Sequence, residues 1–199
     1  MERPDLNWVT REFEASIAVK QRALLDAQFM QQVTDMGHLL VERYESGNKL
    51  LIAGNGGSAA DAQHLSAEFV NRYALARPGL PAIALTTDTS MLTSIANDSG
   101  YEAIFARQLE ANGAAGDVFI GISTSGNSPN ILAAMEQART MGILSVGLTG
   151  GDGGQLQERC DYCIRVPSDS TSRIQEAHIL LGHILCGLVE SALFPDNDV

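Results

Sequence analysis

An α/β fold built on a doubly wound, five-stranded parallel sheet, with a helical extension at its N-terminus, is predicted for this chain on three observations. Five short, continuous apolar runs are spaced along residues 50–166, helical patterns stand between most of them, and residues 7–46 carry helical periodicity throughout. Continuous rather than alternating apolar strands are buried on both faces, which requires helices on both sides of a parallel sheet. The ligand of such a fold sits beyond the carboxyl ends of the strands.

Residues 7–46 contain no Gly or Pro before Gly37 and read as two helices, roughly 9–28 and 30–46, with Gly47-Asn48 as the stop. The strands are legible at Leu50-Leu51-Ile52-Ala53, Ala82-Ile83-Ala84-Leu85, Val118-Phe119-Ile120-Gly121-Ile122, Leu144-Ser145-Val146-Gly147-Leu148 and Tyr162-Cys163-Ile164-Arg165-Val166. Helical patterns run from Ala59 to Tyr73, Ser90 to Ala96, Ala103 to Ala111, Pro129 to Met141 and Arg173 to Leu193. The change of texture divides the chain into helices at 1–47, available for oligomerisation, and a domain at 48–199.

A chain of 199 residues is long enough for one α/β domain with a full core and a short appendage. Its 45% hydrophobic content places it among globular proteins. A net charge of −11 counts against nucleic-acid and anionic-membrane contacts, and any phosphate must be held by local donors. No long uninterrupted apolar run predicts a transmembrane helix, and Met1-Glu2-Arg3-Pro4-Asp5 lacks the basic region of a secretory signal. Cys160-Asp161-Tyr162-Cys163 has CxxC spacing without a second pair, and reads as two small residues entering a buried strand of a reduced, cytoplasmic protein. The acidic tail Asp196-Asn197-Asp198 reads as solvated.

Ser123-Thr124-Ser125-Gly126-Asn127-Ser128 lies between an apolar strand and a helical pattern. Ser128 is a suitable N-cap and Pro129 suits the first helical position. Free N–H groups of a first helical turn, together with hydroxyls of Ser123, Thr124, Ser125 and Ser128, make a phosphate cradle. A capping turn needs one such residue, not four. No lysine follows, so this is not a nucleotide-triphosphate loop, and a single phosphoester is the expected ligand.

Gly54-Asn55-Gly56-Gly57-Ser58 follows the first strand, and its glycines allow close approach of backbone to a ligand. His64 and Glu68 stand four apart on the next helix and share a face. His178 and His183 fall on the last helix with Gln175 and Glu176. His64, Glu68, Gln175 and His183 form a possible shell of N and O ligands for a divalent metal, best suited to zinc. A solvated His64–Glu68 pair with core or capping histidines on the last helix is the competing reading. His38 reads as structural, and Arg173 and Asp161 as surface residues. Asn97-Asp98 reads as a turn that also reaches the strand ends.

These residues resemble the signatures of the phosphoheptose isomerases, a family of sugar-isomerase (SIS) domain proteins. Ala53-Gly54-Asn55-Gly56-Gly57-Ser58 with Asp61, His64 and Glu68 is similar to the first signature, Gly121 to Ser128 to the second, and Arg173-Ile174-Gln175-Glu176 with His178 and His183 to the third. Arg77 to Ala82, Asn97-Asp98 and Leu148-Thr149-Gly150 also fit, so the likeness spans about Asn48 to Phe194. The resemblance implies a cytoplasmic homotetramer that converts sedoheptulose 7-phosphate to D-glycero-D-manno-heptose 7-phosphate, the first step towards lipopolysaccharide heptose. It implies Glu68 as base and His183 as acid, with about one zinc per subunit on His64, Glu68, Gln175 and His183. It also implies phosphate binding by Ser123, Thr124, Ser125 and Ser128, and sugar binding by Asn55, Gly56, Gly57, Glu68, Asn97, Asp98 and Gln175.

Two further SIS-domain readings stand beside it. Proteins that bind the bacterial replication initiator as non-catalytic tetramers share the Thr87-Asp88 and Ile95-Ala96-Asn97-Asp98 stretches and the Leu193-Phe194-Pro195 ending. Their pattern lacks the acid matching Glu68 and the imidazole matching His183. A phosphosugar-sensing domain would keep the hydroxyl loop without needing His64, Glu68 and His183 together. Ser172 departs from isomerases that carry an acid just before the Arg-Ile-Gln motif.

Aldose–ketose isomerisation through an enediol needs a base, an acid near the carbonyl oxygens and stabilisation of oxyanion charge. Gln175 and His183, on one straight helix, are separated by about 12 Å of rise and roughly 80° of turn. Two such side chains meet one metal by reaching inward from opposite ends, by a helix break between them, or from two subunits, and a site completed across a subunit interface is the expectation taken forward.

Overall fold

The computed structural model describes residues 5–195, so the tail Asp196-Asn197-Asp198 lies outside the described residues. Its sheet has five parallel strands: β1 (Leu50–Gly54), β2 (Ala82–Ala84), β3 (Val118–Ile122), β4 (Leu144–Gly150) and β5 (Tyr162–Val166), in the order β2-β1-β3-β4-β5. The helices are α1 (Leu6–Leu25), α2 (Ala27–Glu45), α3 (Gly57–Val70), α4 (Thr89–Ser99), α5 (Ile104–Asn112), α6 (Pro129–Met141) and α7 (Thr171–Leu193).

Two apolar layers sandwich the sheet, and the period-two geometry of a strand assigns each side chain to one of them. Leu50, Ile52, Val118, Ile120 and Ile122 face a layer closed by α1, α2, α3 and α7. Leu51, Ala53 and Phe119 face the other, where Phe105 and Leu109 of α5 and Ile131 and Met135 of α6 pack. Because β1 and β3 lie in the interior of the sheet and are buried on both faces, every one of their residues is apolar or Gly. The order reverses between β1 and β3, which opens a crevice at their carboxyl ends.

Val19 and Ala23 of α1 and Val33, Met36 and Leu40 of α2 belong to the same apolar layer as β1 and β3. The N-terminal helices are therefore packed into the sheet's core, and the change at residue 47 is one of texture. They meet earlier than the sequence predicts. Asp26 ends α1 and accepts from the N–H groups of Gln28 (3.0 Å) and Phe29 (3.1 Å), capping α2. Likewise α3 begins at Gly57 and stops at Val70, before Tyr73. β5 is an edge strand rather than a fully buried one, so Cys160 and Cys163 are half-buried. All three cysteines are free thiols, and burial pushes Cys186 up to about 12.

By length and mean hydropathy α7 would qualify as a membrane span, contrary to the sequence expectation. Its apolarity is explained by core packing: Ile174, Ala177, Leu181, Leu185 and Val189 are buried, and so are His178 and Glu190. Burial pushes His178 down to about 4, with its Nε2 3.1 Å from the Thr149 carbonyl.

Candidate active site

The loop after β3 leads into α6, whose first residue is Pro129. Ser123 is buried and its Oγ lies 2.9 Å from Ser128 Oγ; Thr124 is half-buried and Ser125 is exposed. Ser128 holds the extended backbone of an N-cap, but no side chain caps α6, a correction to the role expected of it. Its hydroxyl is drawn to Ser123 instead. The positive end of α6 and a cluster of hydroxyls thus face the crevice together. Gly126 makes the turn at φ +65°, and a Cβ there would strike the Gly153 carbonyl. A short helical turn at Gly154–Glu158, not foreseen from the sequence, holds the loop from behind through the Leu156 N–H to the Gly126 carbonyl (2.9 Å). A cavity of about 290 Å³ adjoins the loop, lined by Thr124, Ser125, Gly150, Gly151, Asp169 and Ile174.

The Asn55-Gly56-Gly57 loop after β1 meets the start of α6. Asn55 Nδ2 donates to Asn130 Oδ1 (2.9 Å), and Asn130 Nδ2 donates to Asn55 Oδ1 (2.8 Å). The Tyr101 hydroxyl also donates to Asn55 Oδ1 (3.0 Å). Gly57 lets the Gln175 amide close on the loop, since a Cβ there would stand 2.8 Å from Gln175 Nε2. Asn97 and Asp98 are not in a turn. They are exposed on α4, and Asn97 Nδ2 donates to Asp98 Oδ1 (2.7 Å). The capping carboxylate of Asp88 starts α4 early, and the helix runs through both residues to Gly100.

His64, Glu68 and His183 converge within one chain. His64 Nε2 lies 2.9 Å from His183 Nε2 and 3.5 Å from Glu68 Oε1. The sequence expectation of a site shared between subunits is therefore not needed for Glu68 and His183. The Gln175 side chain of α7 lies against Gly57, at the N-terminal end of α3. The donor set suits zinc, being two imidazoles and a carboxylate. A tetrahedral ion with Zn–N bonds of about 2.0–2.1 Å holds its nitrogens about 3.3 Å apart, so the histidines fit it after opening by a few tenths of an ångström. No three His, Cys, Asp or Glu side chains among the described residues are gathered tightly enough to grip an ion as they stand. Asp61, one turn before His64, keeps a buried oxygen without a partner, and burial raises its carboxyl while His64 opposes the shift.

Tyr73 stacks on the His183 ring, with centroids 5.5 Å apart. Its loop is tied down by Glu190, a buried carboxylate that accepts from the N–H groups of Tyr73 (2.7 Å), Ala74 (2.8 Å) and Leu75 (3.0 Å) and from Arg77 Nε (2.8 Å). Arg77 in turn donates to the carbonyls of Glu68 (2.9 Å) and Phe69 (2.8 Å), so one buried ion pair fixes both sides of the histidine cluster. Burial pushes Glu190 up, but the donors at Leu75, Tyr73, Ala74 and Arg77 outweigh it and hold the carboxyl below its usual range. Sequence reasoning missed Glu190, Tyr73, Tyr101 and Asn130. Glu190 was findable, because it falls four residues after Cys186 on the apolar stripe of α7. Arg173 and Asp161 are also more than surface residues. Arg173 donates to the Glu12 carbonyl (2.8 Å), joining α7 to α1, and the Asp161 carboxylate accepts from Ser145 N (2.8 Å) and Oγ (2.7 Å). His38 is exposed.

A family model described as SIS domain matches residues 12–150. The phosphoheptose isomerase of Aneurinibacillus thermoaerophilus is 55% identical over 193 residues, covering 97% of this chain and 98% of that protein. That of Burkholderia pseudomallei is 51% identical over 194 residues, covering 98% of each. Among solved structures, the phosphoheptose isomerase of Neisseria gonorrhoeae superposes with a TM-score of 0.86 at 42% identity, covering 92% of this chain and 97% of that one. The one from Francisella tularensis gives 0.89 at 38% identity, covering 95% and 100%. These relatives do not favour the initiator-binding alternative. With its SIS fold, hydroxyl loop and histidine cluster in place, the chain belongs to the phosphoheptose isomerase family of SIS-domain proteins.

Proposed function

We propose that this protein is an aldose–ketose isomerase that converts sedoheptulose 7-phosphate to D-glycero-D-manno-heptose 7-phosphate. The observation that carries the reading is the meeting of Glu68, His64 and His183 in the same chain as a hydroxyl-lined helix N-terminus. The first group supplies proton transfer and the second holds a phosphate.

The phosphate binds at Ser123, Thr124, Ser125, Ser128 and the first turn of α6. Binding energy gained there, away from the reacting carbons, orients C1 and C2. Glu68 turns Oε1 towards His64, which leaves its other oxygen for a proton. That oxygen takes a proton from C1 of the ketose, the C1–C2 enediol forms, and the same carboxyl returns the proton to C2. His183 moves the proton between the two substrate oxygens. Asn55, Gly56, Gly57 and Gln175 contact sugar hydroxyls, and Asn97 and Asp98 reach them from α4. His64, Glu68 and His183 would hold a zinc ion, which when bound supplies Lewis-acid stabilisation of oxyanion charge. Gln175 would complete the ligand set of such an ion.

Assembly as a homotetramer is part of this reading. Exposed Leu24, Leu180 and Ile184 border an apolar cavity of about 360 Å³ between α1, α2 and α7, a face suited to burial against another copy. Free thiols and acidic charge agree with a reducing cytoplasm.

The test is turnover of sedoheptulose 7-phosphate by purified, zinc-supplemented protein. The aldose phosphate is the expected product, and Glu68→Gln should abolish it. Absence of product, with tight binding to a replication initiator, would overturn the proposal.

A further inference from the structure

Asn130 has no role in the mechanism above, yet it is buried at 2% exposure in the first turn of α6, where a polar amide is costly unless paired. Its partner is 75 residues away, in the other loop of the crevice. The two amides form a closed pair, each donating once and accepting once. The Tyr101 hydroxyl adds a second donor to Asn55 Oδ1.

An asparagine amide offers two lone pairs and two N–H groups. Asn55 Oδ1 has both lone pairs engaged, by Asn130 and Tyr101. Asn55 Nδ2 has one N–H engaged, by Asn130. One N–H remains, on a half-buried side chain in the loop that faces the substrate. A closed amide pair cannot reverse one member alone without setting oxygen against oxygen and N–H against N–H.

We infer that Asn130 is a positioning residue that fixes the sense of the Asn55 amide, so that Asn55 meets the substrate as a single hydrogen-bond donor and never as an acceptor. The inference rests on the isomerase reading for the identity of the substrate. A lone donor at this place selects an oxygen that gains negative charge during enediol formation, and such a donor is worth more in the transition state than in the ground state. Asn130 thereby also ties the sugar loop after β1 to the phosphate loop after β3, setting the distance between the two ends of the ligand.

The experiment combines a double-variant cycle with a donor reversal. Asn130→Ala should lower kcat/KM roughly ten- to fifty-fold, the scale of one misaligned donor to a reacting oxygen. Adding it to Asn55→Ala should cost less than a further twofold. Asn130→Asp, which keeps the size and loses the donor, should fall with Asn130→Ala and serves if the alanine variant does not fold. Binding of inorganic phosphate, read by calorimetry, should stay within twofold of wild type. Asn55→Asp, which offers only acceptors, should be at least as impaired as Asn55→Ala. Additive losses, or phosphate binding weakened in parallel, would show that Asn130 merely supports α6 and overturn the inference. Activity retained by Asn55→Asp would overturn the donor assignment. If wild type does not turn over the heptulose phosphate, the isomerase reading fails, and the same cycle read as sedoheptulose 7-phosphate affinity against inorganic phosphate still decides the coupling: additive losses reject it.

Discussion

His64 Nε2 and His183 Nε2 lie 2.9 Å apart where α3 meets α7, although 119 residues separate them in the chain. Two imidazole nitrogens aimed at each other this closely share either a proton or a cation. With Glu68 Oε1 3.5 Å from the first, the cation is the reading the proposed chemistry uses. Elemental analysis should find about one zinc per chain. His64→Ala should lose both the metal and activity; unchanged zinc content would show that the cluster is not the metal site.

The hydroxyl loop yields a binding prediction. Ser125 is exposed and its Oγ accepts only a 3.2 Å bond from the Asn127 N–H within the loop, so its hydroxyl is free to donate to a phosphate. Ser125→Ala should weaken phosphosugar binding by ~1–3 kcal/mol while leaving the melting temperature in place. Equal wild-type affinity for sedoheptulose and its 7-phosphate would remove the cradle from the account.

Glu190 and Arg77 give a stability prediction. Both side chains are essentially inaccessible, at 1% and 0% exposure. Removing one partner strands the other charge, so Glu190→Ala should cost about 3–5 kcal/mol in urea unfolding at pH 7. The native carboxyl is held below its unfolded value of about 4.3. Its contribution is therefore complete above that value and is lost as pH falls through the lower native one. Wild type should lose stability steeply on acidification and Glu190→Gln less so. Identical acid limbs would refute the linkage.

The strands were legible in the sequence because β1 and β3 are buried on both faces and wholly apolar or Gly, while β4, also interior, keeps only buried Ser145 and Thr149 within its apolar run. Where a polar residue acts through geometry, legibility failed. Asp26 hides a chain reversal inside an unbroken helical pattern, because a cap is visible only when the helix phase breaks with it. Asn97-Asp98 has turn composition, but the Asp88 cap commits the segment to helix. The site divides in the same way. His64 and Glu68 follow from i,i+4 spacing, and His183 from its place on the last helix. Asn130 and Tyr101 were invisible because their significance is a hydrogen bond to Asn55, which no local pattern encodes.

Subunit mixing tests where the reacting groups come from. Glu68 and His183 converge through His64 in one chain, so a hybrid of Glu68→Gln and His183→Ala subunits contains no site with both native groups. No activity should return after verified reassembly. Recovery of activity would place the two groups on different chains.

The most direct measurement of the central claim is isomerisation in deuterium oxide, followed by NMR. Sedoheptulose 7-phosphate should give the aldose 7-phosphate, with solvent deuterium at C2 in those turnovers in which the Glu68 carboxyl exchanges the proton taken from C1 before returning it. Glu68→Gln should give neither product nor exchange at C1. Exchange or turnover undiminished in Glu68→Gln would contradict the enediol route with Glu68 as its base.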